Sequence, residues 1–243
     1  MLSIYKKEVN QFFTSPTGYV VLGVFFVVMS LMLWFFPDTN LLNQNFASLD
    51  IFFSLAPIIF VFLIPAIMMR TFSEELQLGT IEFLFTAPLK LRDIILGKFL
   101  AGITLLLIAT LPLLIYYFTL YKLGSPVGNI DSGGTLGSYI GLLLLGATFA
   151  AISLFTSALQ SNQMVSFLVG VFICAALLWG FDYTAKLPIF FGRIDDLVQQ
   201  CGMSYHYNAL SRGLLTLTDL TYFVSLIVLF LFLTSLVLNK KKS

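Results

Sequence analysis

The sequence has little charge, two cysteines and a single histidine. Only 10% of its 243 residues are charged, whereas soluble domains carry about 25%, and its mean hydropathy is +0.95. These values exclude an ordinary soluble domain and make the lipid bilayer the solvent for most of the chain. Cys174 and Cys201 fall at different predicted depths, which argues against a disulfide. His206 has no Cys/His/Asp cluster at metal-ligand spacing, so we interpret it as an interfacial polar residue.

The sequence also lacks the Gly-x-x-x-x-Gly-Lys-Ser/Thr loop that binds phosphates. Gly97-Lys98 has neither the first glycine nor the hydroxyl residue, so the chain does not bind ATP by that device. No catalytic constellation is present, and a net charge of +1 points to no particular partner. We therefore expect no enzymatic activity, no metal, no cofactor in this chain and no nucleic-acid partner.

Ionisable residues are missing from the interiors of the long apolar runs, and Asp182 lies at the end of one. This absence argues against proton- or sodium-coupled transport. Any path through the protein would then be lined by hydroxyl and apolar groups. The hydroxyl candidates are Thr104, Thr110, Ser153, Thr156 and Ser166.

What the sequence does contain is six long apolar runs. Each approaches or exceeds the roughly 20 residues that span a bilayer. Their apolar residues are continuous rather than alternating, which favours helices over a β-barrel. We predict an all-α polytopic membrane protein with six transmembrane helices in a single transmembrane domain over residues 1–243. The predicted spans are 17–36, 51–69, 94–120, 136–159, 163–182 and 221–239.

The distribution of lysine and arginine predicts the orientation. With the N-terminus in the cytoplasm, nine of the 13 basic residues lie on the inner side and four on the outer side. Both termini and residues 70–92 are therefore predicted to be cytoplasmic. The inner nine are Lys6, Lys7, Arg70, Lys90, Arg92, Lys98, Lys240, Lys241 and Lys242, and the outer four are Lys122, Lys186, Arg193 and Arg212.

Three further segments have distinct patterns. Residues 1–16 place apolar and basic residues on separate faces, which predicts a helix lying in the membrane interface. Residues 183–220 mix aromatic with charged residues, including Phe190 and Phe191, which predicts short extracytoplasmic helices half-buried at the interface. Gly137 and Gly141 have the spacing that lets helices approach closely in lipid, either within the subunit or between subunits. Kinks are predicted at Pro57, Pro65 and Pro112.

Residues 70–88 hold three of the twelve acidic residues yet keep the spacing of an amphipathic helix. Thr71 and Glu74 have the spacing of a capping box, which predicts a helix start there. Gly79 can end that helix, and Thr80 or Thr86 can cap a following piece before Pro88. We expect a short helical hairpin that shows three carboxylates to the cytoplasm. These are Glu74, Glu75 and Glu82.

The pattern of this stretch is Arg70-xxx-Glu74-Glu75-xxx-Gly79-Thr80-x-Glu82-x-Leu84-x-Thr86-x-Pro88, followed by Gly97-Lys98. It resembles the first cytoplasmic loop of ABC-2-type ABC transporter permeases. Ser15-Pro16-Thr17-Gly18-Tyr19 before the first span, and the segments around 211–213 and 219–223, resemble the same family. Within it, the chain is most similar to the gliding-motility-associated (GldF-type) permease subunit, with the permeases of nitrous-oxide-reductase maturation more distant.

The resemblance implies a type V permease architecture in a bacterial inner membrane. It implies pairing with a second copy of the chain or a paralogous membrane subunit, and docking on a separate ABC ATP-binding subunit that binds ATP and Mg²⁺. In the gliding subfamily a subunit with a large periplasmic domain is also expected. The coupling interface carried over by the resemblance comprises Arg70, Glu74, Glu75, Gly79, Thr80, Glu82, Thr86, Gln160, Ser161 and Asn162.

The function that follows is a non-catalytic permease subunit of the exporter class. It would couple ATP hydrolysis by the partner to transport or to force transmission across the membrane, linked to gliding motility. The alternative is a polytopic transporter or membrane enzyme that works without an ATPase. The absence of internal charges and catalytic residues disfavours that alternative.

Overall fold

The computed structural model describes residues 1–43, 46–86, 88–187 and 195–242, and these residues form helices and no strand. A 3₁₀ turn at Leu111–Leu113 and a π-helical segment at Ala176–Gly180 interrupt two of the longer helices. The helices are α1 (Leu2–Thr14), α2 (Pro16–Trp34), α3 (Asp50–Met68), α4 (Arg70–Gln77), α5 (Ile81–Thr86), α6 (Leu91–Thr110), α7 (Leu114–Leu123), α8 (Ser132–Leu159), α9 (Gln163–Ala175), α10 (Phe181–Ala185), α11 (Asp195–Gln200), α12 (Met203–Leu210) and α13 (Leu217–Lys242).

Within the described residues, six helical stretches are long and apolar enough to cross a membrane. They coincide with the six predicted spans and confirm the all-α class. The second stretch continues beyond the predicted end at 69, because α3 runs almost directly into the amphipathic α4. The six are Pro16–Trp34, Asp50–Gln77, Leu91–Leu123, Ser132–Leu159, Gln163–Ala185 and Leu217–Lys242.

Helix α8 lies at the centre of the bundle and packs against α3, α6, α9 and α13. Its small residues allow this, since helices without bulky side chains can approach closely. Two of its glycines pack within the chain: a Cβ on Gly137 would meet the backbone of Gly213 at 2.8 Å, and one on Gly141 would meet Leu210 at 2.5 Å. Of the two interpretations of this glycine pair, packing within the subunit is the one observed.

The prolines have different effects on their helices. Pro112 lies in the 3₁₀ turn between α6 and α7, so the predicted interruption of the third span is present. Pro57 and Pro65 lie inside α3 without ending it.

Four segments meet at one end of the bundle, which we call the termini end: residues 1–15, 70–86, 160–162 and 240–242. Lys7 contacts Glu75 and Arg70 contacts Ser15 at this end, and Lys241 binds the carbonyl oxygen of Ala158 just before the turn at 160–162. The opposite end carries α10, α11 and α12, which confirms the prediction of short helices in 183–220. Phe190, Phe191 and Arg193, assigned above to that segment, lie outside the described residues.

His206 at the opposite end is buried, so its interpretation as an interfacial residue is wrong. Its Nδ1 lies 2.6 Å from Asp219 Oδ1 and its Nε2 lies 2.9 Å from the carbonyl oxygen of Gln200. The ring stacks on Tyr222 with 4.0 Å between centroids. A polar ring can be buried here because both nitrogens have hydrogen-bond partners. The pair joins α12 to the start of α13.

Helix α1 forms as predicted and keeps Lys6 and Asn10 exposed. Part of its apolar face packs on α6, where Ile4 is buried and the Tyr5 hydroxyl lies 3.0 Å from Thr104 Oγ1. The helix is therefore attached to the bundle as well as amphipathic.

Candidate functional site

The segment 70–86 forms two short helices that meet at a tight turn. Helix α4 ends at Gln77, and Gly79 has a φ of +70°, a left-handed conformation that glycine adopts without strain. This confirms the predicted helix end. Helix α5 follows at once and ends at Thr86, whose hydroxyl donates to the carbonyl oxygens of Glu82 and Phe83. Thr86 thus closes α5 and does not cap a later helix. The Thr80 hydroxyl points back to the carbonyl oxygen of Glu75 at 3.5 Å.

The start of α4 is close to the predicted position, but the predicted capping box is wrong. The Thr71 hydroxyl donates to the carbonyl oxygen of Met68 and does not accept from the helix. Instead the backbone N–H groups of Phe72 and Ser73 donate to the Ser157 hydroxyl oxygen, at 2.8 and 3.1 Å. The first N–H groups of a helix have no partner within it. A residue of α8 therefore supplies the cap that local spacing assigned to Thr71.

Glu75 is buried, so the expectation that it shows its carboxylate to solvent is wrong. Its Oε1 accepts a 2.8 Å hydrogen bond from Lys7, and its Oε2 lies 3.0 Å from the Lys98 ammonium. The contact with Lys98 is an ion pair and not a hydrogen bond, since Oε2 has no hydrogen-bond partner among the described residues. The carboxylate can leave solvent because two ammonium groups compensate its charge.

The charge on Lys7 is maintained by the same contacts. Burial by itself would lower the pKa of Lys7, but the hydrogen bond and charge of Glu75, with Glu8 and Glu74 nearby, raise it above 10.5. While Glu75 is ionised, the stabilisation that comes from the raised pKa of Lys7 is present below pH 10.5 and is lost as the pH rises beyond that value. Lys7 stays protonated throughout the physiological range.

Arg70 joins three parts of the termini end. Its guanidinium donates to Ser15 Oγ at 2.9 Å, to Thr17 Oγ1 at 2.5 Å and to Gln163 Oε1 at 3.2 Å. It also lies 3.8 Å from Glu74. The side chain is half-buried, so it holds the link between α1 and α2, the start of α9 and α4 together.

Two large apolar side chains are exposed on either side of the turn at Gly79. Leu78 is 68% exposed and Phe83 is 75% exposed. Glu82 and Thr86 are exposed beside them, while Glu74 is half-exposed and contacts Gln11 at 3.4 Å. We call Leu78, Gly79, Glu82 and Phe83 the apolar tip. Its exposed apolar groups lie among polar residues, a combination that marks interaction surfaces.

The second predicted contact, residues 160–162, is a short turn beside this segment. Ser161 and Asn162 are exposed and Gln160 is half-buried. The Asn162 side chain accepts from the backbone N–H of Met164 at 2.9 Å and so caps α9. Lys241 donates to the last carbonyl oxygens of α8, at 2.8 and 3.2 Å. Both ends of the turn are therefore fixed.

The hydroxyl residues proposed to line a path lie inside the single chain. Four of the five are buried among its helices, and three of those four donate to carbonyl oxygens of their own helix. The expectation that they line a path is not met within the described residues. The four are Thr110, Ser153, Thr156 and Ser166. Thr104, the fifth, lies against Tyr5.

Comparison with known proteins decides the family. A family model described as ABC-2 family transporter protein matches residues 2–242. The chain belongs to the ABC-2 transporter family. The match covers nearly the whole chain, so the six spans and the termini end together form the ABC-2 membrane unit. No curated protein matches the chain.

Membership has three consequences. An ABC-2 chain is a membrane permease subunit, generally non-catalytic, and the family implies an ABC ATP-binding partner.

The described residues contain no cluster of His, Cys, Asp or Glu that could hold a metal. Cys174 and Cys201 are free thiols, as their depths predicted.

Sequence reasoning missed the residues that hold the termini end together. Lys98 lies one turn inside the third span and is fully buried, so the statement that span interiors hold no ionisable group was wrong for this residue. Its pairing with carboxylates is what makes the position tolerable. A lysine inside a predicted span is itself a signal that could have identified it. Ser157 and Lys241 had no such signal, because serine is common in membrane helices and lysine is common at their ends.

Proposed function

We propose that this ABC-2 permease couples ATP hydrolysis by a separate ABC ATP-binding subunit to transport, or to force transmission, across a bacterial inner membrane. In this proposal both termini and the termini end are cytoplasmic, as the excess of lysine and arginine there favours. The ATP-binding subunit docks on the apolar tip, with residues 160–162 as a second contact.

The exposed apolar pair at the tip carries the proposal. Leu78 and Phe83 are among the more exposed large side chains of the molecule, yet they belong to a segment with Gln77, Glu82 and Lys90, which suits water rather than hydrocarbon. A few residues that fill desolvated pockets contribute most of the binding energy at protein interfaces, and aromatic side chains are enriched at such interfaces. The partner surface that fits them is an apolar groove with a basic or N–H donor group placed opposite Glu82.

The predicted coupling residues divide into two groups under this proposal. Gly79, Thr80, Glu82 and Thr86 lie at or near the tip and would touch the partner directly. Arg70, Glu74 and Glu75 are held by contacts within the chain and would position the tip. Reversing the charge of Glu75 would therefore disturb the fold as well as any docking. Substitutions at the exposed apolar tip test docking alone.

The experiment is purification of the complex from native membranes through a tag at the C-terminus of this chain. We expect Leu78→Ala combined with Phe83→Ala to lower the retained ATP-binding subunit at least ~30-fold, since two anchors of about 1 kcal/mol or more each are removed. The amount of permease in the membrane should not change. Leu2→Ala is the matched control, because Leu2 has the same 68% exposure outside the tip.

Unchanged retention in the double variant would contradict the assignment of the tip. Activity of the purified chain without any ATP-binding subunit would instead favour the alternative of an ATPase-independent transporter or membrane enzyme.

We also propose a link to gliding motility, on the resemblance of the sequence alone. Such a complex would contain, besides the ATP-binding subunit and a second permease or paralogous subunit, a membrane subunit with a large periplasmic domain. The same purification tests this, because mass spectrometry of the complex identifies each subunit. Recovery of an ATP-binding subunit without a periplasmic-domain subunit would support the proposed ABC permease function and contradict the proposed link to gliding motility.

A further inference from the structure

Four charged side chains form a cluster between α1, α4 and α6; three of them have little exposed surface and the fourth, Lys7, is 53% exposed. The Lys98 ammonium of α6 donates to Glu8 Oε1 at 2.7 Å and lies 3.0 Å from Glu75 Oε2. Lys7 contacts Glu75 at 2.8 Å and Glu8 at 3.9 Å. We call Lys7, Glu8, Glu75 and Lys98 the Lys98 cluster. It contains two positive and two negative groups, so the cluster as a whole is neutral.

Lys98 is the centre of this cluster. Its side chain has no exposed surface, and besides its bond to Glu8 the ammonium donates to the carbonyl oxygen of Thr71 at 2.6 Å. The ring of Phe72 lies 4.8 Å from the ammonium and closes the remaining side. An ammonium has three donors, and here it faces one acceptor group from α1 and two from α4. The position therefore suits an ammonium only while both helices stay in place.

The backbone beside Lys98 is built for close approach. A Cβ at Gly97 would lie 3.1 Å from the carbonyl oxygen of Met1 and 3.3 Å from Ile4 Cβ. Such distances are tighter than ordinary van der Waals contact, so a larger residue would push α1 away from α6. Gly97 lets the helices meet and Lys98 pairs across them, which gives both residues of Gly97-Lys98 a physical role.

We propose that Lys98 is a positioning residue that makes α1, α4 and the start of α6 move as one unit when the apolar tip is displaced. The inference rests on the proposed docking of an ATP-binding subunit at that tip. Separating α4 from α1 would leave a buried ammonium or carboxylate without its partner, which is strongly disfavoured. Displacement of the tip therefore carries the amphipathic α1 with it, and the motion reaches the membrane surface as well as the spans.

Hydrogen exchange measured by mass spectrometry on the intact complex tests this linkage. Without nucleotide, Glu8→Gln should speed the exchange of residues 2–14 about tenfold, because α1 loses its charged contact with Lys98. Lys6→Gln is the matched control, since Lys6 is exposed on the same helix and should leave exchange unchanged. With ATP and vanadate, the unaltered complex should change its exchange at 70–86 and at 2–14. Glu8→Gln should keep the first change and lose the second.

A second variant separates the linkage from simple damage. Glu8→Gln with Lys98→Met removes both charges, so no buried ammonium is left unpaired, and it should lose the ATP-dependent change at 2–14 in the same way. A complex that responds at 70–86 but not at 2–14, or a Glu8→Gln complex that responds like the unaltered one, would overturn the inference and leave the proposed function intact. Failure of the unaltered chain to bind any ATP-binding subunit would overturn both.

Discussion

Lys241, near the end of the last helix, donates a 2.8 Å hydrogen bond to the carbonyl oxygen of Ala158 near the end of α8. The last carbonyl groups of a helix have no partner within it, and a lysine ammonium satisfies them while complementing the helix dipole. The final turn of the last span thereby fixes the start of the turn at 160–162.

Replacing Lys241 should loosen that turn without unfolding the bundle. We expect Lys241→Gln to raise hydrogen exchange at residues 156–162 about fivefold, equivalent to a loss of about 1 kcal/mol from one hydrogen bond. Lys240→Gln should have no such effect, since Lys240 is exposed on the same turn. Equal effects of the two variants would show that general charge, not the cap, stabilises the turn.

Ser157→Ala should destabilise the start of α4. The substitution leaves the N–H groups of Phe72 and Ser73 without their acceptor in a buried site, at a cost of about 1–3 kcal/mol. The measurement is the loss of protection of the amides at 70–76 in hydrogen exchange, with Ser157→Thr as a variant that keeps the hydroxyl. Thr71→Val, which removes the predicted capping residue, should have the smaller effect on those amides. If Thr71→Val were the more damaging change, the assignment of the cap to Ser157 would be refuted.

His206→Leu should destabilise the opposite end of the bundle. It removes the partner of a buried carboxylate, that of Asp219, which among the described residues then keeps the hydrogen bond donated by the Thr216 hydroxyl. Leaving a buried polar group without a hydrogen-bond partner costs about 1–3 kcal/mol, and more for a charged group. Thermal unfolding in detergent checks this, and His206→Leu with Asp219→Asn should recover part of the loss. An unaltered midpoint for His206→Leu would mean that the pair contributes little.

The two free cysteines allow a direct test of the proposed orientation. Cys201 is exposed and Cys174 is buried, so a membrane-impermeant maleimide should label intact cells at Cys201 alone. Leu78→Cys in a Cys201→Ser background should be labelled only after the membrane is opened. Labelling of Leu78→Cys in intact cells would reverse the topology and place the apolar tip outside.

The sequence was sufficient for the spans and insufficient for the contacts at the termini end. Long apolar runs reveal the six helices because burial in lipid needs no partner of particular identity. Local spacing also located the end of α4 at Gly79. The burial of Glu75, by contrast, depends on Lys98 and Lys7, which are far from it in sequence. A spacing rule treats such a carboxylate as solvated, because the compensating charges come from other helices.

The same limit explains the capping error at Thr71. The capping box is a local sequence rule, and Thr71 and Glu74 have the spacing that it requires. In the fold, Glu74 faces Arg70 and Gln11, and the cap comes from α8. Where helices are packed this tightly, a neighbour's hydroxyl can replace the local one, and only the packing reveals which is used.

The Ser157 hydroxyl has one further consequence. It accepts from two amides of α4 and donates to the carbonyl oxygen of Met69 at 3.1 Å, and Ser157 lies three residues before Gln160, the residue at which α8 gives way to the turn. The two surfaces proposed to meet the ATP-binding subunit are thus connected through one side chain. If both surfaces contact the ATP-binding subunit as proposed, we expect a displacement of the hairpin at 70–86 to be accompanied by a displacement of the turn at 160–162.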